Sequence, residues 1–264
     1  MKILHIIPTY LPAYNRGGPI WSVHNMNKWL VKKGVEVTVY TTNLDIQEKV
    51  TVNKEVIIDG VKVYYFPISW PKIWQYWRVF FLPALLPRHW EYSENLHKKL
   101  SETAGFFDIT HITSTFLFAS ALGGHYAKKN KTPYIISPRG NLMEPLELKG
   151  AFKKLAYIYL FEKRNLADAA AIHFTVPKEE EEYFKHKLPL KKSIIIPNGI
   201  DPADLNEESP AGYFRNKFNI GKNKKIVLFL SRISWKKGLD TLIPAFAEAK
   251  KNMPEAVLVI VGSD

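Results

Sequence analysis

Two cationic side chains, Arg232 and Lys237, follow a short apolar run and precede a segment with helical periodicity. In an open α/β sheet this places both residues at the carboxyl edge of a strand, where ligands bind. A guanidinium beside an ammonium suits a diphosphate. The helix dipole disfavours cations at a helix N-terminus, so their presence indicates a bound anion. A solvated basic helix start is the alternative.

A pair of adjacent glycines, Gly17 and Gly18, stands between the first predicted strand and the first predicted helix. A glycine-rich turn at this point lets backbone N–H groups and the helix N-terminus approach a phosphate. The loop differs from the dinucleotide fingerprint, because it is longer and its glycines are adjacent. Two interpretations stay open: a phosphate-facing loop, or a turn that needs glycine for a positive φ.

The elements that position these residues alternate between β-rich runs and amphipathic segments, which predicts a parallel sheet covered by helices on both faces. The first helix carries an apolar stripe from Ile20 to Val31 and ends at Gly34. The predicted strands are Ile3–Ile7, Val35–Tyr40, Val61–Phe66, Asp108–Ile112, Tyr134–Ser137, Ala170–Phe174 and Ser193–Pro197, and the further helices lie near Phe118–Lys129, Phe152–Leu166 and Lys178–Lys187. Glu179–Glu182 is interpreted only as an acidic helix start, which the dipole favours. The fold class is α/β, with one doubly wound domain over residues 1–200.

A polar stretch rich in turn formers follows residue 200 and predicts a linker over residues 201–222. A second domain begins at residue 223, with strands at Ile226–Leu230 and Ala256–Val261. Between them, a helical stripe is formed by Leu239, Leu242, Ile243, Phe246 and Ala249. A single strand-helix-strand unit buries too little surface to be a complete domain. Residues 223–264 are therefore expected to be the start of one.

The composition excludes several classes of function. The 264 residues include no cysteine, which removes disulfides, thiolate metal sites and thiol nucleophiles. Thirty-seven basic and 25 acidic residues give a net charge of +12, which favours an anionic partner. Zinc spacings, ribonucleoprotein motifs and basic zipper regions are missing from the sequence, so no nucleic-acid partner is expected.

Six segments, in their order along the chain, resemble the retaining glycosyltransferases of family 4, which adopt the GT-B fold. They are the Gly17-Gly18 loop, Asp108-Ile-Thr-His111, Ser137-Pro-Arg-Gly140, Pro197-Asn-Gly-Ile-Asp201, Leu230-Ser-Arg-Ile-Ser-Trp-Lys-Lys-Gly-Leu-Asp240 and Val259-Ile-Val-Gly262. The resemblance covers nearly the whole chain. It implies a Rossmann-like acceptor-side domain followed by the truncated start of a Rossmann-like domain that binds a nucleotide-sugar donor.

The resemblance also implies roles for single residues. Gly17 and Gly18 would line the loop that faces the donor phosphates. Arg232 and Lys237 would hold the diphosphate and offset the charge that builds on the leaving nucleotide. Gly262 would begin the loop under the nucleotide base. Neither a metal nor another cofactor is expected, since the nucleotide-diphosphate sugar is a substrate.

Two departures from the family pattern concern the site. Members often carry a His-x-His pair whose second histidine reaches the sugar, whereas here His111 is followed by Thr113. His111 is a candidate catalytic residue in its place, although a strand-end histidine is more often a packed one. Arg139 is the second catalytic candidate, as a contact to an anionic substrate or as one half of a structural salt bridge. Asn198 and Asp201 are assigned to the structure of the cleft.

The larger departure is the paired-glutamate motif that holds the donor sugar, which in the family lies farther along than residue 264. On this ground the chain by itself is expected to be inactive.

Residues Ser69–Trp90 mix four tryptophans with phenylalanines and scattered cations. Such a mixture suits the interface between lipid and water. Contacts to an anionic membrane surface are predicted for Trp70, Trp74, Trp77, Phe80 and Phe81. An insertion packed over the sheet would bury the same rings and is the alternative. The net charge favours peripheral attachment to the inner face of the cytoplasmic membrane, in a cytoplasmic protein.

The resemblance therefore predicts a retaining transferase that moves a sugar from a nucleotide-diphosphate donor to a hydroxyl of a glycan or lipid-linked acceptor. Surface polysaccharide, lipopolysaccharide or glycolipid synthesis is the expected setting. Two alternatives stay open, a GT-B-like sugar-nucleotide epimerase and a non-catalytic binding protein.

Overall fold

A computed structural model describes residues 1–13, 18–46, 49–69, 91–143, 158, 162–201 and 209–262 of the chain. The chain forms two compact units, Met1–Asp201 and Pro202–Asp264.

The first unit is built on one eight-stranded sheet. Its strands are β1 (Lys2–Ile6), β2 (Glu36–Thr42), β3 (Glu55–Ile58), β4 (Val61–Phe66), β5 (Ile109–Thr113), β6 (Tyr134–Ser137), β7 (Ala171–Phe174) and β8 (Ser193–Ile195). Its helices are α1 (Gly18–Lys32), α2 (Glu94–Thr103), α3 (Phe118–Lys129), α4 (Lys163–Asp168) and α5 (Pro177–Lys185). The α/β fold class predicted from the alternating pattern is confirmed.

The strand order is β3-β4-β2-β1-β5-β6-β7-β8, and every pairing is parallel except that of β3 with β4. From β1 the chain first adds β2, β3 and β4 on one side of β1. It then returns and adds β5, β6, β7 and β8 on the other side of β1. The sheet therefore has a topological switch point between β1 and β5. In open parallel sheets, ligands bind in the crevice outside the carboxyl ends of the strands at this point.

Helices cover the sheet on both faces because the central strands are apolar on both faces. On one face, α1 buries Ile20 and Val23 against valines of β2 and β4. On the other, α2 and α3 pack over β1, with Leu96 and Leu100 fully buried. A third cluster joins β5, β6 and β7 to α5 through Phe174 and other buried side chains.

In the first unit, the strand β3 and the helix α2 were not among the predicted elements. The edge strand β3 is short and half-exposed, and it turns into β4 through Asp59 and Gly60, which both have positive φ. An Asp-Gly pair between two short runs is a hairpin signal. The helix α2 buries only Leu96 and Leu100, so its periodic signal is weak. Of the helix predicted at Phe152–Leu166, residues 152–157 and 159–161 lie outside the described part, and the rest belongs to α4 or precedes it.

The second unit pairs two parallel strands, β9 (Lys225–Leu230) and β10 (Ala256–Val261). A short helix, α6 (Tyr213–Lys217), lies within the stretch predicted as a linker. A 3-10 turn at Trp235–Lys237 precedes α7 (Leu239–Asn252), which joins the strands. The helix forms where its apolar stripe predicts it, but no residue of α7 is buried.

Candidate functional site

A pocket of about 360 Å³ lies at the switch point of the first unit's sheet. The carboxyl ends of β1 and β5, the first turn of α1 and the loop after β6 form its walls. This cavity is here called the strand-end pocket. It is lined by Ile7, Pro8, Thr9, Pro19, Ile20, Glu91, Thr113, Ser114, Leu117 and Asn141. The pocket is thus where the topology predicts a ligand, and hydroxyl and amide side chains stand among its apolar walls.

The loop after β5 is held in a strained conformation beside this pocket. Ser114 has a φ of 76° and Phe116 a φ of 65°, both in the left-handed region that non-glycine residues seldom adopt. Buried Glu162 accepts a hydrogen bond from the Phe116 backbone N–H at 2.9 Å. The Asn141 amide donates to Ser114 Oγ at 3.2 Å and to the Thr115 carbonyl at 3.3 Å. Such strain, held by surrounding polar contacts, clusters at functional sites.

Thr113 ends β5 and is the residue of that strand that lines the pocket. Its Oγ1 lies 2.7 Å from Nε2 of the fully buried His5 on β1. The other ring nitrogen, Nδ1 of His5, lies 2.9 Å from Oδ1 of Asn27 on α1. These side chains meet because β1 and β5 pair in register, with His5 opposite His111. His5 faces the side of the sheet that α1 covers. Thr113 is therefore held by buried His5, and buried Asn27 holds His5 in turn.

His111, one of the two predicted catalytic residues, stands in a row of three histidines across the sheet. Its ring lies 4.4 Å from that of His5 and 5.6 Å from that of His173. Nδ1 of His173 is 3.4 Å from Nε2 of His111. Burial holds the pKa of His111 well below its usual range, and it lowers the pKa of His5 to about 3. His111 is thus a neutral side chain and does not line the strand-end pocket.

Arg139, the other predicted catalytic residue, lines a different pocket of about 210 Å³. It donates a hydrogen bond to Oδ1 of Asn198 and has a φ of 55°. Burial lowers its pKa from the ordinary value, and neighbouring Glu179 acts in the opposite direction. The wall also includes His173 and Trp29. Arg139 and Thr113 therefore serve separate pockets.

Glu179 was predicted only as part of an acidic helix start, but its carboxylate organises the Arg139 loop. The side chain is 1% exposed. One oxygen accepts from the Gly140 backbone N–H at 2.6 Å. The other accepts from the Thr175 backbone N–H at 2.8 Å and from its hydroxyl at 3.0 Å. Sequence spacing gives no sign of this contact, because the partners are 39 residues apart.

Asp201, the last residue of the first unit, is fixed to α1 by two lysines. Its carboxylate is 2% exposed and lies 3.1 Å from Nζ of Lys28 and 3.8 Å from Nζ of Lys32. Both lysines retain access to water, so the pair is not a fully desolvated one. The contact holds the end of the unit against its first helix.

In the second unit, the predicted phosphate-binding residues lie just beyond the carboxyl end of β9. Arg232 and Lys237 are both exposed, and Lys237 closes the 3-10 turn before α7. Gly262 follows β10, and a Cβ at this position would lie 1.8 Å from the Ser231 carbonyl oxygen. Only glycine lets the two strand ends approach this closely. The structure therefore brings Gly262 against the Ser231–Arg232 backbone.

Of the predicted glycine pair, Gly17 lies outside the described residues and Gly18 begins α1. The φ of Gly18 is not in the left-handed region, and no heavy atom lies within 4 Å of a Cβ built on it. A turn that needs glycine for its φ is therefore not the explanation at Gly18. The predicted membrane contacts, residues 70, 74, 77, 80 and 81, also lie outside the described residues.

Across the described ranges, no helix is both long enough and apolar enough to cross a membrane. Within the same ranges, no three His, Asp or Glu side chains are placed to hold a metal ion.

The geometry defines an α/β protein with a small-molecule pocket at the switch point of a parallel sheet, and comparison with known proteins gives its family. Residues 17–199 match the model of the glycosyl transferase 4-like domain, and residues 213–264 match that of glycosyl transferases group 1. The chain belongs to the glycosyl transferase 4-like family. The family resemblance inferred from the motifs is confirmed.

Two curated relatives carry the comparison further. An uncharacterized glycosyltransferase of Methanocaldococcus jannaschii is 26% identical over 278 residues, which is 100% of this chain and 63% of the relative. A lipopolysaccharide 1,2-N-acetylglucosaminetransferase of Salmonella typhimurium is 30% identical over 80 residues, or 30% of this chain and 21% of the relative. The chain thus spans less than two thirds of either relative.

Solved structures show the same fold at low identity. Anabaena HepE in complex with UDP and glucose superposes with a TM-score of 0.66 at 16% identity, over 98% of this chain and 60% of that protein. Sucrose-phosphate synthase of Thermosynechococcus elongatus gives a TM-score of 0.64 at 18% identity, over 99% and 62%. The predicted GT-B type of fold is confirmed.

Proposed function

We propose that the protein is a glycosyltransferase that moves a sugar from a nucleotide-diphosphate donor to a hydroxyl acceptor with retention of anomeric configuration. The observation that carries the proposal is the close approach of the carboxyl ends of β9 and β10, where Gly262 packs on the Ser231–Arg232 backbone. The exposed cations Arg232 and Lys237 follow the end of β9. The family supports the reaction class, and the HepE complex supports a uridine nucleotide among the donors to be tested.

The second unit supplies the donor side of this proposal. A diphosphate needs donors that reach two phosphoryl groups, and a guanidinium with a nearby ammonium provides them. Arg232 is the second residue after β9, and Lys237 ends the 3-10 turn that follows. Their charges would stabilise the nucleoside diphosphate as the glycosidic bond breaks. No metal is required for this role.

The strand-end pocket of the first unit supplies a place for a sugar. Its volume falls within the range of small-molecule pockets, about 300–1,000 Å³. Thr113, Ser114 and Asn141 offer hydroxyl and amide groups that match the hydroxyls of a sugar. His111 and Arg139 stay catalytic candidates, His111 within β5 and Arg139 just after β6 of the same sheet.

In this proposal the acceptor is an intermediate in the synthesis of a surface polysaccharide or lipopolysaccharide. The Salmonella relative, which is a lipopolysaccharide 1,2-N-acetylglucosaminetransferase by its name, supports this setting. A lipid-linked acceptor would suit peripheral attachment to an anionic membrane, which the net charge of +12 favours.

Calorimetric titration of the intact gene product with UDP-, GDP- and ADP-sugars tests the donor site. We expect one donor to bind, and Arg232→Ala or Lys237→Ala to weaken its affinity at least about tenfold, the effect of losing a hydrogen bond to a charged group. Lys222→Ala is the matched control, because it removes the same charge in the turn that precedes β9, at the opposite edge of the sheet. Equal effects of Lys222→Ala and Lys237→Ala would reduce the site to general charge attraction.

Binding of no nucleotide sugar by the wild-type protein would contradict the proposal. Conversion of a nucleotide sugar without any acceptor would favour an epimerase instead. Proton NMR of the transferred product distinguishes retention from inversion by the configuration at its anomeric carbon.

A further inference from the structure

A second cavity of the first unit, with a volume of about 200 Å³, lies between α3 and α4. It reaches Tyr134, the first residue of β6, whereas the strand-end pocket lies beyond the last residues of the strands. We call this cavity the amino-edge pocket. It is therefore separate from the carboxyl edge of the sheet, where the topology predicts the substrates. Its polar lining residues, besides Tyr134, are His125, Lys128, Arg164, Asn165 and Asp168.

The inner wall of the amino-edge pocket is fixed by the close packing of α3 on α4. A Cβ at Gly124 would lie 1.6 Å from Oδ1 of Asn165, so glycine is what lets the two helices approach. Asn165 is buried, and its Nδ2 donates to the Ser120 carbonyl at 3.3 Å. The hydroxyl of buried Tyr134 donates to the Asn165 carbonyl at 2.6 Å. The pocket is thus a preformed cavity with a rigid inner wall.

The outer rim of the amino-edge pocket carries more positive than negative charge. The carboxylate of Asp168 already pairs with Nζ of Lys128. Nζ of Lys191 lies 3.0 Å from the Asp168 backbone carbonyl and adds a further positive charge. In the part of the chain that the structure describes, Arg164 has no hydrogen-bond or ion-pair partner, and the ring nitrogens of His125 have no hydrogen-bond partner. A guanidinium and an imidazole therefore remain to bind a ligand.

These two groups favour a phosphoryl group as the ligand. The guanidinium of Arg164 presents a planar fork of N–H donors that matches two phosphate oxygens, and the imidazole of His125 supplies a further donor. A phosphoryl group carries about −1.5 to −2 charges at neutral pH and three acceptor oxygens, so it suits both the donors and the positive rim. The cavity is smaller than the roughly 300–1,000 Å³ of pockets for drug-sized ligands. The carrier of the phosphoryl group must therefore be small or extend into solvent.

We propose that the amino-edge pocket is a binding site for a phosphate monoester, held by Arg164 and His125. The phosphoryl group belongs either to a soluble phosphorylated metabolite or to the head group of an anionic lipid, and each source is a separate arm of the test. The inference does not rest on the proposed transferase activity, since every lining residue belongs to the first unit and lies away from the carboxyl edge of its sheet.

Calorimetric titration of the intact protein in a phosphate-free buffer tests the site, with inorganic phosphate and glycerol 3-phosphate as probes. We expect saturable binding that Arg164→Ala weakens at least about tenfold, as for the loss of a hydrogen bond to a charged group. Arg164→Lys should restore only part of the affinity, because an ammonium lacks the planar fork. Lys163→Ala is the matched control, because it removes the same charge from the neighbouring position of α4, outside the pocket lining.

A local measurement places the ligand in the pocket. In a protein with nitrogen-15 histidine, the ring signal that is missing in His125→Gln identifies His125. Phosphate should shift this signal and leave that of the fully buried His5 unchanged. Ala121→Met should abolish the shift, because it fills part of the cavity without removing a charge. Arg232→Ala should leave the shift intact, which separates this site from the donor site.

Cosedimentation with phosphatidylcholine vesicles, with and without phosphatidic acid, distinguishes the two sources. Binding that requires phosphatidic acid and is lost in Arg164→Ala identifies a lipid, whereas tight binding of glycerol 3-phosphate without vesicle binding identifies a soluble ligand. Binding of none of these probes, equal effects of Arg164→Ala and Lys163→Ala, or an unshifted His125 signal would overturn the inference. A protein that binds phosphate here but transfers no sugar would contradict the proposed function alone.

Discussion

Replacement of Glu179 by glutamine tests whether a single buried carboxylate holds the Arg139 loop. The wild-type carboxylate accepts three hydrogen bonds, one from Gly140 and two from Thr175. Glutamine has the same shape but exchanges one acceptor oxygen for an NH₂ group, which cannot accept. At least one of the three donors must then lose its partner.

The magnitude follows from which donor loses its partner. The less costly arrangement turns the NH₂ towards Gly140, because only one hydrogen bond is lost there and two are kept with Thr175. Loss of a hydrogen bond to a charged group costs about 1.5–3 kcal/mol, and the two that remain become bonds to a neutral acceptor. We therefore expect Glu179→Gln to lower the free energy of unfolding by about 2–4 kcal/mol. The Arg139 loop, with positive φ at both Arg139 and Gly140, loses its main restraint.

Urea denaturation followed by tryptophan fluorescence measures the change, and hydrogen exchange locates it. The midpoint should fall by about 1–2 M for a slope near 2 kcal/mol per molar urea. The amides of Gly140 and Thr175 should exchange faster than those of β1. Glu181→Gln is the matched control on the same helix, since Glu181 is exposed and pairs only with Lys178 among its ion-pair contacts in the described residues. An unchanged midpoint in Glu179→Gln would refute the reasoning.

Two further predictions concern packing and pH. Gly124→Ala should lower the melting temperature, because the new Cβ would lie 1.6 Å from Oδ1 of buried Asn165 and overpacking costs about 1–3 kcal/mol, more than the roughly 1 kcal/mol that alanine gains in a helix. A raised melting temperature would show that Asn165 moves aside freely. Acidification from pH 6.5 to 5 should lower the free energy of unfolding by about 2 kcal/mol through His5, because its pKa is lowered from 6.5 to about 3 on folding and the unfolded chain binds the proton more readily. Urea titrations at the two pH values check this, and an equal decrease in His5→Gln would contradict the assignment to His5.

The elements that the sequence predicted best are those with a strong period and clear ends. The strands Val61–Phe66, Tyr134–Ser137 and Ala256–Val261 and the helix Phe118–Lys129 have the bounds predicted. Their branched or alternating apolar residues fill the core on one or both faces of the sheet, so local pattern and tertiary packing agree. The edge strand β3 lacks this signal because only one of its faces packs.

The place of the site was predictable, but its walls were not. Strand ends of a parallel sheet lie at one edge, so His111 and Arg139 were reasonable candidates. Alternation along β5 makes His111 and Thr113 share a face, yet only Thr113 reaches the pocket, being the last residue of the strand. Arg139 turns instead towards Asn198, which is 59 residues away in sequence. Contacts of this kind depend on tertiary register, which a single sequence does not encode in its local pattern.

Transfer of a sugar to a hydroxyl acceptor tests the central claim most directly. The intact protein would be incubated with each nucleotide sugar and a panel of lipid-linked and alkyl glycoside acceptors. Mass spectrometry of the acceptor and quantification of the nucleoside diphosphate are the readouts. The account predicts that the acceptor gains one sugar for every nucleoside diphosphate released, and that Arg232→Ala abolishes both signals together. Nucleotide-sugar binding without any transfer to any acceptor, or transfer that is unchanged in Arg232→Ala, would contradict it.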